Sequence, residues 1–297
     1  MTKTSTATSA ASITQAAGQQ RPSWWQNLLR SASGVTGLVL ILLIATSALL
    51  APYLAPYDPI ALNPPVRLQG PSLEHWLGTD QYGRDTFSRI IYGGRISLLV
   101  AISAISIATI VGGVLGLLSG YYRGWVDALV MRFTDILLSF PAILLAIALL
   151  AFFGGGMLNL ILAIGIIYTG PFVRVSRAAV MGVREELYVE SNRALGARDG
   201  RILRLAILPN AAAPLLIEIT LRLAYAILAE ASLSFLGLGT QPPAPSWGQM
   251  IADNRRFLAL SPWASVAPGL IIMVTVLGFN LLGDGLRDVL DPRLTKR

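Results

Sequence analysis

The sequence predicts an all-α membrane protein of six transmembrane helices, and three observations lead there. The chain of 297 residues is 54% hydrophobic and 13% charged, with a mean hydropathy of +0.62, far from the balance of a soluble domain. Residues 136–173 run without a charge, about twice the length that one helix needs to cross a bilayer. Lysines and arginines gather in alternate connecting segments, which is how membrane proteins set their orientation.

The elements follow in order. Residues 1–34 form a tail whose first twenty are mostly Ser, Thr, Ala and Gln, a composition expected to be disordered. That tail and the apolar run behind Arg21 and Arg30 are both too long for a cleaved leader. From 35 to 297 the chain is expected to be one six-helix domain. Its first span covers 35–51, and an outer segment of about 52–95 follows, with Pro52, Pro56, Pro59, Pro64 and Pro65 near its start. The second span covers 96–118, where Gly112, Gly116 and Gly120 let helix backbones approach closely, within the chain or against a second one. Gly154, Gly155 and Gly156 divide the uncharged run into spans at 136–153 and 157–173. Pro141 in the third span and Pro171 near the end of the fourth are expected to bend them. The fifth span covers 211–236, an outer loop about 237–263, and the sixth span 264–282.

Six spans put both termini on one side. With the N-terminus inside, the inner segments hold sixteen Lys and Arg, the outer segments hold six, and Arg222 lies within the membrane. That asymmetry sets the orientation and accounts for the net charge of +7 without nucleic acid. Four of the outer six (Arg67, Arg84, Arg89 and Arg95) are expected on an amphipathic interfacial stretch, partly balanced by Glu74, Asp80 and Asp85. Asp127 and Asp135 flank Arg132 as an interfacial cluster near the inner end of the third span.

Residues 188–209 are a basic segment, with Arg193, Arg198, Arg201 and Arg204, between apolar spans. A helix is expected from about Arg184 to Leu195, closed by Gly196 at the position that favours a left-handed turn. A second short helix follows, and Pro209 marks a rigid break before the fifth span. Glu190, Gly196 six residues on, and Leu208-Pro209 resemble the EAA loop of ABC-importer permeases, which docks into the ATPase and transmits its motion. Three further motifs resemble the dipeptide, oligopeptide and nickel branch of that family: Leu77–Asp85 before the second helix, Pro242–Gly248 in the loop between the fifth and sixth, and Leu282–Arg293 in the tail. The combination is similar to the C-type subunit. Ser191 and Asn192 stand where the pattern has alanines, and Ala206 where isoleucine is usual.

The resemblance implies a type I ABC-importer permease fold and a subunit that forms half of a pore for peptides. It implies a second homologous permease, two ABC ATPases that bind ATP and magnesium, an extracytoplasmic binding protein, and a bacterial or archaeal cytoplasmic membrane with both termini inside. The chain itself is expected to hold no cofactor. Nickel or glutathione is the alternative cargo. Glu190, Ala194, Gly196, Ala197, Leu208 and Pro209 would form the ATPase-coupling segment, about 184–209.

The chain's own residues offer no catalysis. Its only lysines are Lys3 and Lys296, neither in a phosphate-binding loop. The absence of cysteine excludes disulfides and thiolate chemistry. His75 has no companion at metal spacing and reads as a loop residue. In the fifth span, Glu218 and Arg222 are four apart and can pair on one helix face, with Glu230 roughly on the same side. Such charges normally face protein or water, so they mark either the translocation pathway or its gate, or an ion pair that locks the helix to a neighbour. An ion-gradient secondary transporter using the three as a relay is the competing class.

Overall fold

The computed structural model describes residues 24–290. A short α1 (Trp24–Leu28) leads into the first span, α2 (Ala32–Leu49), whose N-cap Ser31 accepts from the Gly34 amide. After α3 (Ala51–Leu54) the chain folds irregularly to Asp85, which caps α4 (Thr86–Tyr122) through the Ser88 amide. Then come α5 (Gly124–Leu138), α6 (Ala142–Phe153) and α7 (Met157–Arg184). The basic segment holds α8 (Leu187–Ala194) and α9 (Asp199–Ile202), and a π turn at Leu203–Ile207 runs into α10 (Leu208–Phe235). Last are α11 (Trp247–Asn254) and α12 (Trp263–Leu290).

The centre of the fold is the pair α4 and α7, which run parallel: positions 112, 116 and 120 of one meet 169, 173 and 177 of the other in the same order. A Cβ on Gly112 would lie 2.6 Å from the Thr169 carbonyl oxygen, one on Gly116 2.5 Å from that of Val173, and one on Gly120 2.8 Å from that of Arg177. Three glycines at four-residue spacing thus let one backbone lie directly against the other along three turns. The glycine repeat serves packing inside this chain. Val100, Ala104, Ile105 and Ala108 of α4 and Leu160, Ile164 and Phe172 of α7 build the core beside it, with Ile227 and Leu233 of α10 against them.

Four helices (α2, α4, α7 and α12) and the α9–α10 unit are each long and apolar enough to cross a membrane. The sixth crossing differs from the expected one. Where a single span at 136–153 was read, α5 and α6 meet at an angle of 89°. Pro141 is the N-cap of α6 and sits at the break, because proline disfavours helical backbone at the residue before it. Pro171, by contrast, lies inside the continuous α7.

Three helices run well past their expected limits: α4 at both ends, and α7 and α12 at their C-terminal ends, at Arg184 and Leu290 against the expected 173 and 282. α4 has 37 residues against the 23 read from hydropathy. Its added first turns carry polar side chains that find partners inside the protein, so they give no apolar signal. The expected helix from Arg184 to Leu195 is divided, since Glu185 ends α7 and Glu186 is extended. Pro209 makes no break. The π turn just before it widens the helix where the proline ring would press on the carbonyl four residues back, and α10 continues. The disorder expected of residues 1–20, and the tail beyond Leu290, lie outside the described residues.

Candidate functional site

The basic segment is anchored by its apolar side. Val189 of α8 is fully buried and packs with Tyr121, Val180, Ile202, Ala206, Ile207 and Ala211. Its other side is bare: Leu187 is 79% and Leu195 86% exposed, and Glu190, Ala194, Gly196, Leu208 and Pro209 are exposed with them. Ala197 is half-buried against the anchor. Gly196 has φ +76°, and its amide donates to the Arg193 carbonyl at 2.9 Å. It therefore ends α8 through the left-handed backbone that side chains with a Cβ disfavour. Behind the exposed ridge lies a cleft of about 360 Å³ whose lining includes Tyr188, Asn192, Ala197, Arg201 and Asn210. Burial raises the Tyr188 hydroxyl pKa above its usual value, and Glu186 adds to the shift.

One buried side chain ties this segment to the spans, and sequence reasoning missed it. The Tyr121 hydroxyl, at the end of α4, donates to Asp199 Oδ1 at 2.6 Å. The guanidinium groups of Arg193 and Arg184 lie 5.2 Å and 5.9 Å from its ring. α4, α7, α8 and α9 therefore meet at one phenol. Around it, Arg123 bonds Glu185 at 2.5 Å, and Arg177 grips Asp127 through two nitrogens at 2.6 and 2.7 Å. Arg174 reaches Asp135 at 2.9 Å. The aspartates expected to cluster around Arg132 thus pair with α7 instead.

At the opposite end, Asp80, Arg84, Asp85 and Arg89 of the group expected at the interface are buried, while Arg67, Glu74 and Arg95 are exposed. Arg84 Nε bonds Asp80 Oδ2 at 2.6 Å, and its Nη2 lies 3.8 Å from Asp253 of α11. Arg89, 2% exposed, bonds the Pro59 carbonyl at 2.8 Å and lies 3.6 Å from Asp80. Burial raises the Asp253 carboxyl pKa, against the pull of Arg84 and Arg89. His75 is no plain loop residue. It is buried, its Nδ1 is 2.9 Å from Asp85 Oδ1, and its ring packs on Tyr57 at 4.8 Å.

The fifth-span charges separate into two groups. Glu230 is fully enclosed by this chain: its oxygens accept from Ser97 at 2.9 Å and Ser234 at 2.8 Å, and Ser97 in turn accepts from the Trp247 amide at 3.4 Å. It therefore braces α11 against α4 and faces no open path. Glu218 and Arg222 do pair, at 2.5 Å, and both keep exposure. They lie on an outward stripe with Pro214, Tyr225, Leu228 and Phe235, while Thr220, Ala224, Ile227 and Ser234 face the core. Arg222 sits about 20 Å from either end of α10. At the bilayer centre a lipid-facing charge costs about 2.5–3.5 kcal/mol, so this stripe is one that protein or water covers.

Residues 112–296 match the family described as binding-protein-dependent transport system inner membrane component, and residues 23–71 match the N-terminal transmembrane domain of oligopeptide transport permease C. The chain belongs to this family. It is 46% identical over 270 residues to the dipeptide transport system permease protein DppC of Alkalihalophilus pseudofirmus, covering 91% of this chain and 89% of that one. It is 44% identical over 272 residues to the glutathione transport system permease protein GsiD of Pectobacterium atrosepticum, covering 91% and 90%. The fold resembles an inward-facing structure of the MetNI methionine ABC transporter, with a TM-score of 0.59 at 19% identity over 68% of this chain and 97% of that one. A structure of an amino acid ABC transporter aligns with a TM-score of 0.54 at 17% identity, over 67% and 92%. This multi-pass membrane chain is thus a transport permease of the ABC-importer type. The ion-gradient relay read from Glu218, Arg222 and Glu230 is set aside by that membership, and by the enclosure of Glu230.

Proposed function

We propose that this permease forms half of a pore that imports short peptides delivered by an extracytoplasmic binding protein. A second homologous permease supplies the other half, and two ABC ATPases bind ATP and magnesium on the inner side. The single observation that carries the docking part is the build of α8. One buried valine anchors it, two leucines stand almost bare beside it, and a glycine at positive φ ends it. A helix held so firmly on one side and uncovered on the other suits a groove in a partner. Glu190, Ala194, Gly196, Ala197, Leu208 and Pro209 make up this coupling segment, with Glu190 as the foremost contact. Tyr121 then passes its displacement into the α4–α7 pair.

The membrane is the cytoplasmic membrane of a bacterium or archaeon, with the described ends and the α8 segment inside. Peptide cargo is supported by the dipeptide permease among its relatives, and the glutathione permease extends the range to a modified tripeptide. The test is purification of the chain from native membranes in mild detergent, with subunits identified and ATPase assayed in proteoliposomes. A second permease and P-loop ATPases, with uptake of a labelled dipeptide that needs the binding protein and ATP, is the expected result. A lone chain or homo-oligomer without ATPase would overturn it.

A further inference from the structure

The outward stripe of α10 carries a charge arrangement that packing within the chain does not use up. Arg222 meets Glu218 through Nε alone, and its two terminal amino groups donate to no described residue. The guanidinium lies 5.7 Å from the rings of both Tyr168 and Tyr225. Its side chain keeps 27% of its surface, and Tyr225 is 53% exposed. This is a cation at mid-span with open hydrogen-bond donors, held between two aromatic rings beside its own counter-charge.

We propose that Glu218 and Arg222, walled by Tyr168 and Tyr225, are a transient binding site for the two charged ends of a short zwitterionic peptide. The inference rests on the reading of this stripe as a wall of the pathway. Residues four apart on a helix are separated by about 6 Å along its axis. A two-residue extended chain spans at most about 7 Å. The backbone spacing of the two residues therefore lies close to the span of a dipeptide, which would part the ion pair now closed at 2.5 Å. A guanidinium presents paired N–H groups to a carboxylate, and Arg222 has such a pair free. Glu218, with one oxygen engaged by Arg222, offers the other to an ammonium group. With no cargo the two side chains close on each other, and the site is neutral. With cargo each exchanges its partner for a peptide end, and the site is neutral again. A peptide with one end blocked leaves one of these half-buried charges without a partner, and this sets the selectivity.

The test uses the complete transporter in proteoliposomes, with binding protein in excess and alanyl-alanine as cargo. The chain has no cysteine of its own, so Tyr225→Cys introduces a single thiol in it. A charged, membrane-impermeant thiol reagent should label this position, and alanyl-alanine should slow the labelling in turnover. Arg222→Gln should raise the half-saturating dipeptide concentration at least tenfold and abolish the preference for the free acid over the C-terminal amide. The exchange variant, Glu218→Arg with Arg222→Glu, should assemble and melt like the native complex yet fail to regain transport. If the exchange restores transport, the pair is a helix lock and the site is overturned. No labelling at position 225 defeats the pathway reading, and the site with it. Labelling together with unchanged dipeptide kinetics in Arg222→Gln defeats the site alone and leaves the pathway reading standing.

Discussion

The two ends of the molecule use the same charged residue types in opposite ways. At the end formed by α8 and α9, Glu190, Arg198, Arg201 and Arg204 are exposed, and the apolar side chains divide between a buried anchor and a bare ridge. At the end formed by residues 57–85 and α11, Asp80, Arg84, Asp85 and Arg89 are buried, and they help to knit segments that lie about 170 residues apart in sequence, as where Arg84 reaches Asp253. One end is finished on the inside and open on the outside. The other spends its charges on holding itself together. A charge count along the chain cannot tell these apart, because exposed and internally paired arginines look alike until their partners are known.

The largest effect should fall on the buried end. Asp80→Ala removes the carboxylate between Arg84 and Arg89 and leaves two buried cations with Asp253 as their nearest acid. Breaking such a group costs about 3–5 kcal/mol, and the variant should show sharply lower yield and a lowered melting temperature in detergent. A normal melting temperature would mean that this end is not internally fixed. Next is Tyr121→Phe, which keeps the ring between Arg184 and Arg193 and loses the bond to Asp199. A hydrogen bond to a charged group contributes about 1.5–3 kcal/mol. The variant should insert and assemble, while more ATP is hydrolysed per peptide imported.

Gly196→Val follows, with a backbone cost of about 1–2 kcal/mol for left-handed geometry. Its expected signature is transport lost with membrane insertion and the α4–α7 core intact, and transport at the native rate would refute the role of the turn. The smallest effect on folding should come from Leu195→Ser. Leu195 is bare, so thermal stability should stay within about 0.5 kcal/mol of native. Retention of the ATPase through purification should nonetheless fall, which sharpens the contrast with Asp80.

Hydropathy was enough to read the position of α2 and the start of α12, and the glycine at 196 was enough to read its left-handed turn. Those features are local: each depends on a run of side chains or on one residue's backbone freedom. The start of α4 was not legible, since Thr86, Ser88 and Arg89 look like loop residues until Asp85, Pro59 and Asp80 are placed around them. Nor was the burial of Glu230, whose Ser97 partner is 133 residues away in sequence. Pro141 announced a bend but not its size, because an angle of 89° depends on what α5 and α6 pack against. Tyr121 carried no signal beyond its position after the glycine repeat.

The π turn at Leu203–Ile207 has a consequence for insertions and deletions. A π turn holds one residue more than an α turn, and each residue advances a helix by about 100°. Deleting one residue of α10 between this turn and Arg222 would rotate Arg222 and Tyr225 away from their present side relative to α9. Removing one residue within the turn itself can be absorbed by its conversion to an α turn, which leaves both flanks in phase. The segment between Leu203 and Ile207 is therefore where the chain can lose a residue without turning α8 and α9 out of step with the span.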